Sequence, residues 1–476
     1  MIFIPKGDSS SSSSSSLSSS SLESSSAHEV NFSLNGYYGE ETPGPQSVAD
    51  GGFATAPTVG KRTGYSLLGW SVDRSESNLW SFSASPVKAN LTLYAVWSLE
   101  TYTVHFDLNG GSGSAIPDQQ TTYLAYDSDG LTSKIIAPSS SLTKEGFILD
   151  GWWMKDETGS FSREWNFTSD LVLGDMTLYA GWATVLNYDH YLVHEYETAV
   201  KISLYDRTLI SGIITIPSTI AEKPVLSIGA SAFANYDNTE TTNIVLPSSL
   251  TTIGASAFRS CSAVYELTIP DTVQSIGEMA FHSCSGLYTL KLGSGLKNIG
   301  QKAFYQCQNL NLDGVLTLPS GLISIEHEAF SISAASGSPL SNVVFSKGLE
   351  YIGWQAFYYA NIQTMTLPDS LIYIGADAFR YCRDLAIIHF GLGLEEIGNN
   401  AFESANANHP NVLHVYLPSS VPPLLGNYVF GLFQIVEEEP SRTDLWFIVP
   451  SAAVETYEAA PTWSLYSTRI ISIALE

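Results

Sequence analysis

Basic residues, cysteines and long apolar runs are all scarce in this chain, and each scarcity narrows its function. Only 21 lysines and arginines stand against 47 aspartates and glutamates, a formal net charge of −26 over 476 residues. Such a field repels phosphate backbones and anionic lipid surfaces, so nucleic acid is not expected as a partner, and solubility is the simplest use of the acidity. No apolar run approaches the roughly 18 residues of a membrane-spanning helix, so no transmembrane segment is expected. Residues 1–6 are too short for the apolar region of a secretory signal, so no export address is visible in this sequence; a misplaced start codon that removes one is one explanation.

The residues that carry chemistry are also thinly spread. The nine histidines are scattered; His190 and His194 lie four apart, about 13 Å in a strand, too far to share a metal. His327-Glu328 lacks the second histidine of a zinc-protease helix, and neither a Gly-x-Ser-x-Gly elbow nor a phosphate-binding glycine loop is written. Asp127-Ser128-Asp129-Gly130 misses the EF-hand spacing and reads as a solvated turn. No catalytic residue, metal site or cofactor is therefore expected.

What the chain does contain is repetition. Eight times an isoleucine is followed five residues later by phenylalanine: Ile228/Phe233, Ile253/Phe258, Ile276/Phe281, Ile299/Phe304, Ile325/Phe330, Ile352/Phe357, Ile374/Phe379 and Ile397/Phe402. Glycine usually follows the isoleucine and alanine precedes the phenylalanine, and successive phenylalanines lie 22 to 27 residues apart. Units this short cannot hide their apolar side chains alone, so they stack into a solenoid with one continuous core. With so few residues per coil, short strands and single helical or 3₁₀ corners are expected. Glycine is expected to permit the bend after each isoleucine. Pro217, Pro247, Pro270, Pro319, Pro368 and Pro418 each follow an aliphatic-x-aliphatic strand and end its ladder pairing. Cys261, Cys284, Cys307 and Cys382 all sit three residues past a repeat phenylalanine, where other coils place Ser333, Ala360 and Ala405. That slot suits a small buried thiol; an oxidised pair such as Cys261 with Cys284 is the alternative.

Before the solenoid come a serine-rich stretch and two matching modules. Residues 9–26 hold 15 serines and cannot bury enough surface to fold, so 1–28 is expected to be a disordered tether. Residues 29–98 and 99–183 each open with Phe-x-Leu-Asn-Gly, from Phe32 and Phe106. Each continues to a Gly-Trp, at Trp70 and Trp152, then Trp-x-Phe at Trp80 and Trp165, and closes with Thr-Leu-Tyr-Ala-x-Trp ending at Trp97 and Trp182. In units this small the aromatic rings are needed as core volume.

This module pattern resembles the Listeria-Bacteroides repeat, the B repeat of internalin-type surface proteins, which implies a small β-grasp-like fold used in tandem as spacer and interaction module. The coils, typified by residues 267–284 (Leu-Thr-Ile-Pro-Asp-Thr-Val-Gln-Ser-Ile-Gly-Glu-Met-Ala-Phe-His-Ser-Cys), resemble the BspA-type leucine-rich repeat of bacterial surface and secreted proteins. A mainly β chain is thus expected: two modules, a curved solenoid over 184–416, and a terminal repeat with cap over 417–476.

Side chains alternate along a strand, so residues flanking each central aliphatic must face outward. The candidate ligand-binding face is Tyr265, Glu266, Thr268, Tyr288, Thr289, Lys291, Thr317, Gln363, Thr364, Thr366, His389, His414 and Tyr416. The expected function is non-enzymatic: adhesion of a secreted or surface-exposed protein to an extracellular protein or polysaccharide. A passive envelope stalk and a glycan-acting enzyme are the rivals. Oligomeric state is not readable.

Overall fold

The computed structural model describes residues 27–34, 43–62, 64–73, 78–124, 126–127, 130–131, 134–139, 141–205, 213–235, 243–310, 314–332, 340–405, 413–431 and 445–473. The serine-rich stretch, the tip of the Asp127–Gly130 turn and Ser333 lie outside the described residues.

Both modules are small mixed sheets built to one plan. In the first, the order is Gln46–Ala49, Ala27–Ser33, Leu91–Leu99, Tyr65–Ser71, with a parallel central pair between antiparallel outer ones. The second repeats it as Gln119–Thr122, Thr101–Asp107, Met176–Tyr188, Ile148–Lys155, and adds Phe161–Glu164 at the edge. The conserved plan has conserved contacts within the chain. Phe32 meets Trp70 edge-on at 5.1 Å, and Phe106 meets Trp152 at 5.0 Å. Trp97 Nε1 donates to the Leu34 carbonyl and Trp182 Nε1 to that of Leu108.

One paired change separates the modules. Where the first has Ser71 and Val96, the second has Trp153 and Gly181. A Cβ on Gly181 would lie 2.5 Å from the Trp153 ring, so the glycine makes room for it. Trp153 is fully buried and packs on Phe161 and Tyr196, at the seam between this module and the solenoid. The seam is also hydrogen-bonded. Met176–Tyr188 runs on past the module, pairs with Tyr191–Glu195, which pairs with Val200–Tyr205, which in turn starts the parallel ladder at Lys223–Ile228.

From there each coil contributes two short parallel strands. One ladder runs from Ser227-Ile228 through Thr252–Ile253, Ser275–Ile276, Asn298–Ile299, Ser324–Ile325, Tyr351–Ile352, Tyr373–Ile374 and Glu396–Ile397 to Leu424–Leu425. The other, the strand face, begins at Ile213–Thr215 and ends at Ile470–Ile473, and is broken into three sheets, after Thr289–Lys291 and after Asn342–Val344. Between the ladders the repeat phenylalanines stack with their planes almost parallel and centroids 5.0 to 5.4 Å apart. Nine stack among the described residues, because Phe430 follows Phe402. Its partner five residues earlier is Leu425, which pairs with Ile397. Fully burying each ring contributes roughly 1.5–3 kcal/mol.

The corners are single turns in which alternate amides bond within and between coils. Ala257, Arg259 and Cys261 donate to the third residue back, while Ser256, Phe258 and Ser260 donate to the next coil. Left-handed residues such as Ser256 and Ser260 recur at four-residue spacing, which stops a helix from propagating. The glycine after isoleucine has a different role from the expected bend: its φ is not positive at any coil. A Cβ on Gly277 would lie 2.7 Å from the backbone of Gly254, and on Gly375 2.6 Å from that of Gly353. Glycine is there because successive coils approach too closely for a side chain. The same contact explains Gly293 and Gly391 in the proline slot, where a Cβ would meet the Pro270 and Pro368 carbonyls at 2.2 Å.

The last coil is sealed by Leu445–Pro450, the helix Val454–Ala459 and the 3₁₀ segment Trp463–Arg469. Tyr457, Trp463 and Tyr466 are buried over Phe430 and Phe447.

Candidate recognition surface

The two ladders present very different outer surfaces. On the Ile-Gly flank the residue before each isoleucine points away from the core, yet Ser227, Thr252, Ser275, Asn298, Ser324, Tyr351 and Tyr373 are all buried. The modules cover them. Thr252 Oγ1 donates to the Glu164 carbonyl at 3.0 Å, Asn298 Nδ2 to the Ser169 carbonyl, and Tyr123 packs with Tyr351 and Tyr373. The second module therefore does not stand off as a spacer; its buried Trp153 and shared strand fasten it along the solenoid.

Charges are buried in that seam, and they are paired. Lys201 Nζ lies 2.6 Å from Asp150 and 2.8 Å from Glu164, Tyr196 donates to Asp150 at 2.5 Å, and Ser227 donates to Glu164 at 2.5 Å. Burial alone would raise Asp150, but bonds from His194, Lys201 and Tyr196 outweigh it and hold the carboxyl well below the usual range. Burial would lower Lys201, but Glu164 and Asp150 push it up instead. Glu326, which stands where other coils have glycine, pairs with Lys134 of the second module at 3.2 Å. Glu350 sits further along the same flank: burial pushes it up to about 7, opposed by Arg62 of the first module and by Tyr123, which donates at 3.4 Å.

The strand face is open. Its central residues Leu267, Leu290, Leu316, Val343, Met365 and Ile388 are buried, and their neighbours face out, as alternation requires. Tyr265, Glu266, Thr268, Lys291, Thr317, Gln363, Thr364, Thr366 and His389 are exposed; Tyr288, Thr289, His414 and Tyr416 are half-buried. Register brings them together in rows: Glu266 beside Thr289, Thr268 beside Lys291, Thr366 beside His389 and Tyr416. Tyr265 stacks on Tyr288 at 5.0 Å and His389 on Tyr416 at 4.3 Å, so these rings are preordered in pairs. Partial burial lowers His389 from its ordinary value, favouring the neutral imidazole.

Two grooves lie on this face. One of about 590 Å³ gathers Glu266, Thr268 and Lys291 with Val245 and Asp271. The other, about 1110 Å³, opens at the sheet break beyond Asn342–Val344 and includes Thr364 and Thr366 with Val315, Val344 and Lys347. Tyr265, Tyr288, Thr289, Thr317, Gln363, His389, His414 and Tyr416 line neither. Ile213 and Val315, 60% and 53% exposed, belong to the same rows and were not among the candidates read from the sequence. Trp446 continues the row beside His414, with Arg469 over its ring at 5.3 Å. Its signal was the alternation in Leu445–Pro450, which reads equally as cap.

The cysteines are no part of this surface. All four are buried free thiols, and each Sγ donates to the carbonyl of the preceding coil's phenylalanine, at 3.1 to 3.5 Å. Burial pushes the Cys307 thiol up to about 12.

Stacked parallel coils with an aliphatic ladder, an aromatic spine and one open strand face define a leucine-rich-repeat solenoid. Its coils are BspA type leucine rich repeats, matched in six copies over residues 226–336 and 311–431, and the modules are Listeria-Bacteroides repeat domains, matched over 28–96 and 102–181. The chain is 36% identical over 149 residues to a putative membrane protein of Evansella cellulosilytica, covering 31% of this chain and 20% of that one. It is 30% identical over 126 residues to internalin H of Listeria monocytogenes, covering 26% and 20%. The chain thus spans about a fifth of the length of these relatives. Among solved structures it is similar to a leucine rich cell surface protein of Faecalibacterium prausnitzii, at 22% identity and TM-score 0.38 over 52% of this chain and 73% of that one. A leucine-rich repeat protein of Bacteroides ovatus gives 19%, 0.27, 60% and 99%. Proteins of the leucine-rich-repeat surface family are generally protein-binding rather than enzymatic. Among the described residues no helix is long and apolar enough to cross a membrane.

Proposed function

We propose that this is a surface-exposed or secreted adhesin whose strand face binds an extracellular protein without chemistry. The observation that carries the reading is the asymmetry between the flanks: one outer surface is covered by the chain's own modules, while the other keeps paired aromatics, hydroxyls and exposed aliphatics in solvent. Aromatic residues and arginine dominate the energetics of protein interfaces, and preordered rings lose little freedom on binding. The two grooves seat protruding side chains of the partner, and the sheet's curvature sets the size of what fits. The fixed modules hold this face at a defined angle to whatever precedes them.

The test is attachment of the purified chain to extracellular-matrix proteins and to cell surfaces, compared with a variant carrying Tyr265→Ala, Tyr288→Ala, Lys291→Ala and Tyr416→Ala. Retained folding with lost attachment is the expected result. Unchanged attachment would favour a stalk with no dedicated ligand.

A further inference from the structure

Away from the strand face, the corners of two adjacent coils build an aromatic cluster that the repeat itself does not need. The residue two past the spine phenylalanine is left-handed in seven of the eight coils that describe it, Ile332 being the exception, and five of those seven use a small or flexible polar residue there: Asn235, Ser260, Ser283, Gln306 and Ser404. Two adjacent coils instead place Tyr359, at φ 62°, and Tyr381, at φ 61°. A bulky ring is among the least suitable side chains for that conformation. Strain retained where a small residue would serve points to use.

The rings form an ordered plate. Tyr359 stacks on Tyr381 with centroids 4.6 Å apart and planes 22° from parallel, and Tyr358 meets both edge-on at 4.8 and 5.5 Å. The exposed Arg383 guanidinium lies 5.7 and 5.5 Å from the Tyr359 and Tyr381 ring centres and makes no ion pair among the described residues. Arg380 is different: it is neutralised by Asp377 at 3.1 Å and by Glu403. The patch thus combines half-exposed aromatic rings with an unpaired planar donor and a near-balanced set of charges. Neither strand-face groove includes any of these residues.

We infer that this corner is a second recognition site, separate from the strand face, for a neutral glycan chain. The apolar C–H face of a pyranose stacks on a tyrosine ring, and its vicinal hydroxyls accept from the Arg383 fork. A chain carrying a net charge of −26 disfavours acidic sugars at long range.

The test is calorimetric titration of the full chain with cellohexaose, xylohexaose and mannohexaose, with a proline-rich decapeptide as the competing aromatic-stacking ligand. Binding of one hexaose is expected. The Tyr359→Ser/Tyr381→Ser double variant restores what other coils carry, so it should lose at least about tenfold in affinity while melting no lower than the parent. Arg383→Ala should weaken binding with no change in melting. Failure of all three hexaoses to bind, binding of the peptide in their place, or undiminished binding by the double variant would overturn the assignment. So would a double variant that melts several degrees lower, because the rings would then be structural.

Discussion

The two outer flanks of the solenoid come from the same coils, a few residues apart, yet one is sealed and the other bare. On the Ile-Gly flank, Ser275 and Asn298 are 2% and 1% exposed, held under the second module. On the strand flank of the same coils, Thr268 and Lys291 face solvent. A leucine-rich coil has no intrinsic reason to bury a polar outer residue, so the sealing is supplied by neighbours. The flank without neighbours is the one available for recognition.

Four perturbations sharpen that contrast, beginning with one that should erase it. Phe304→Ala opens a void in the spine shared by both flanks and should cost about 3–5 kcal/mol in denaturant unfolding. Next, a matched pair of lysines separates the flanks. Lys201→Met leaves Asp150 and Glu164 buried without their cation, a loss of about 3–5 kcal/mol. Lys291→Met on the open flank should stay within about 0.5 kcal/mol. Equal effects would mean that the seam is not buried in solution.

The third perturbation is pH. Glu350 is raised from an unfolded value of 4.5 to about 7, so the stability it contributes is complete below about 4.5 and is lost as pH rises through about 7. Asp150 has the opposite sign: its folded value is depressed, so its contribution is present above the unfolded value and lost only on stronger acidification. Between pH 5 and 7.5 the unfolding free energy should therefore carry a downward component, on the order of 3 kcal/mol at most and read as a falling melting temperature, that Glu350→Gln removes. The smallest effect belongs to the open face. Tyr265→Ala with Tyr288→Ala should change stability by no more than about 1 kcal/mol, while lowering partner binding.

Much of the coil was legible because its signals are local. The Ile-Gly-x-x-Ala-Phe phrase marks both the ladder and the spine, and period-two alternation separates Leu267 from Thr268 without any tertiary knowledge. The ninth spine phenylalanine, Phe430, escaped the Ile/Phe count because Leu425 replaces the isoleucine before it, although a terminal repeat was read over 417–476. The role of glycine was misread for a physical reason: the obstacle to a side chain is the backbone of the preceding coil, which no single coil's sequence displays. The covered flank was not legible either. Asn298 and Ser169 lie 129 positions apart, and Glu350 and Tyr123 lie 227 apart. Its one readable trace was the exchange of Ser71 and Val96 for Trp153 and Gly181 between modules that otherwise match closely.

The native thiols make the central claim measurable, because four buried cysteines with burial-raised or carbonyl-bonded sulfurs should stay unreactive until the chain unfolds. Against that silent background, Thr268→Cys and Ser275→Cys place one reporter on each flank of the same coil. Rapid maleimide labelling at 268, with labelling at 275 only after denaturation, is the predicted result. Comparable native rates at the two positions would contradict the account, since the modules would then leave both flanks bare.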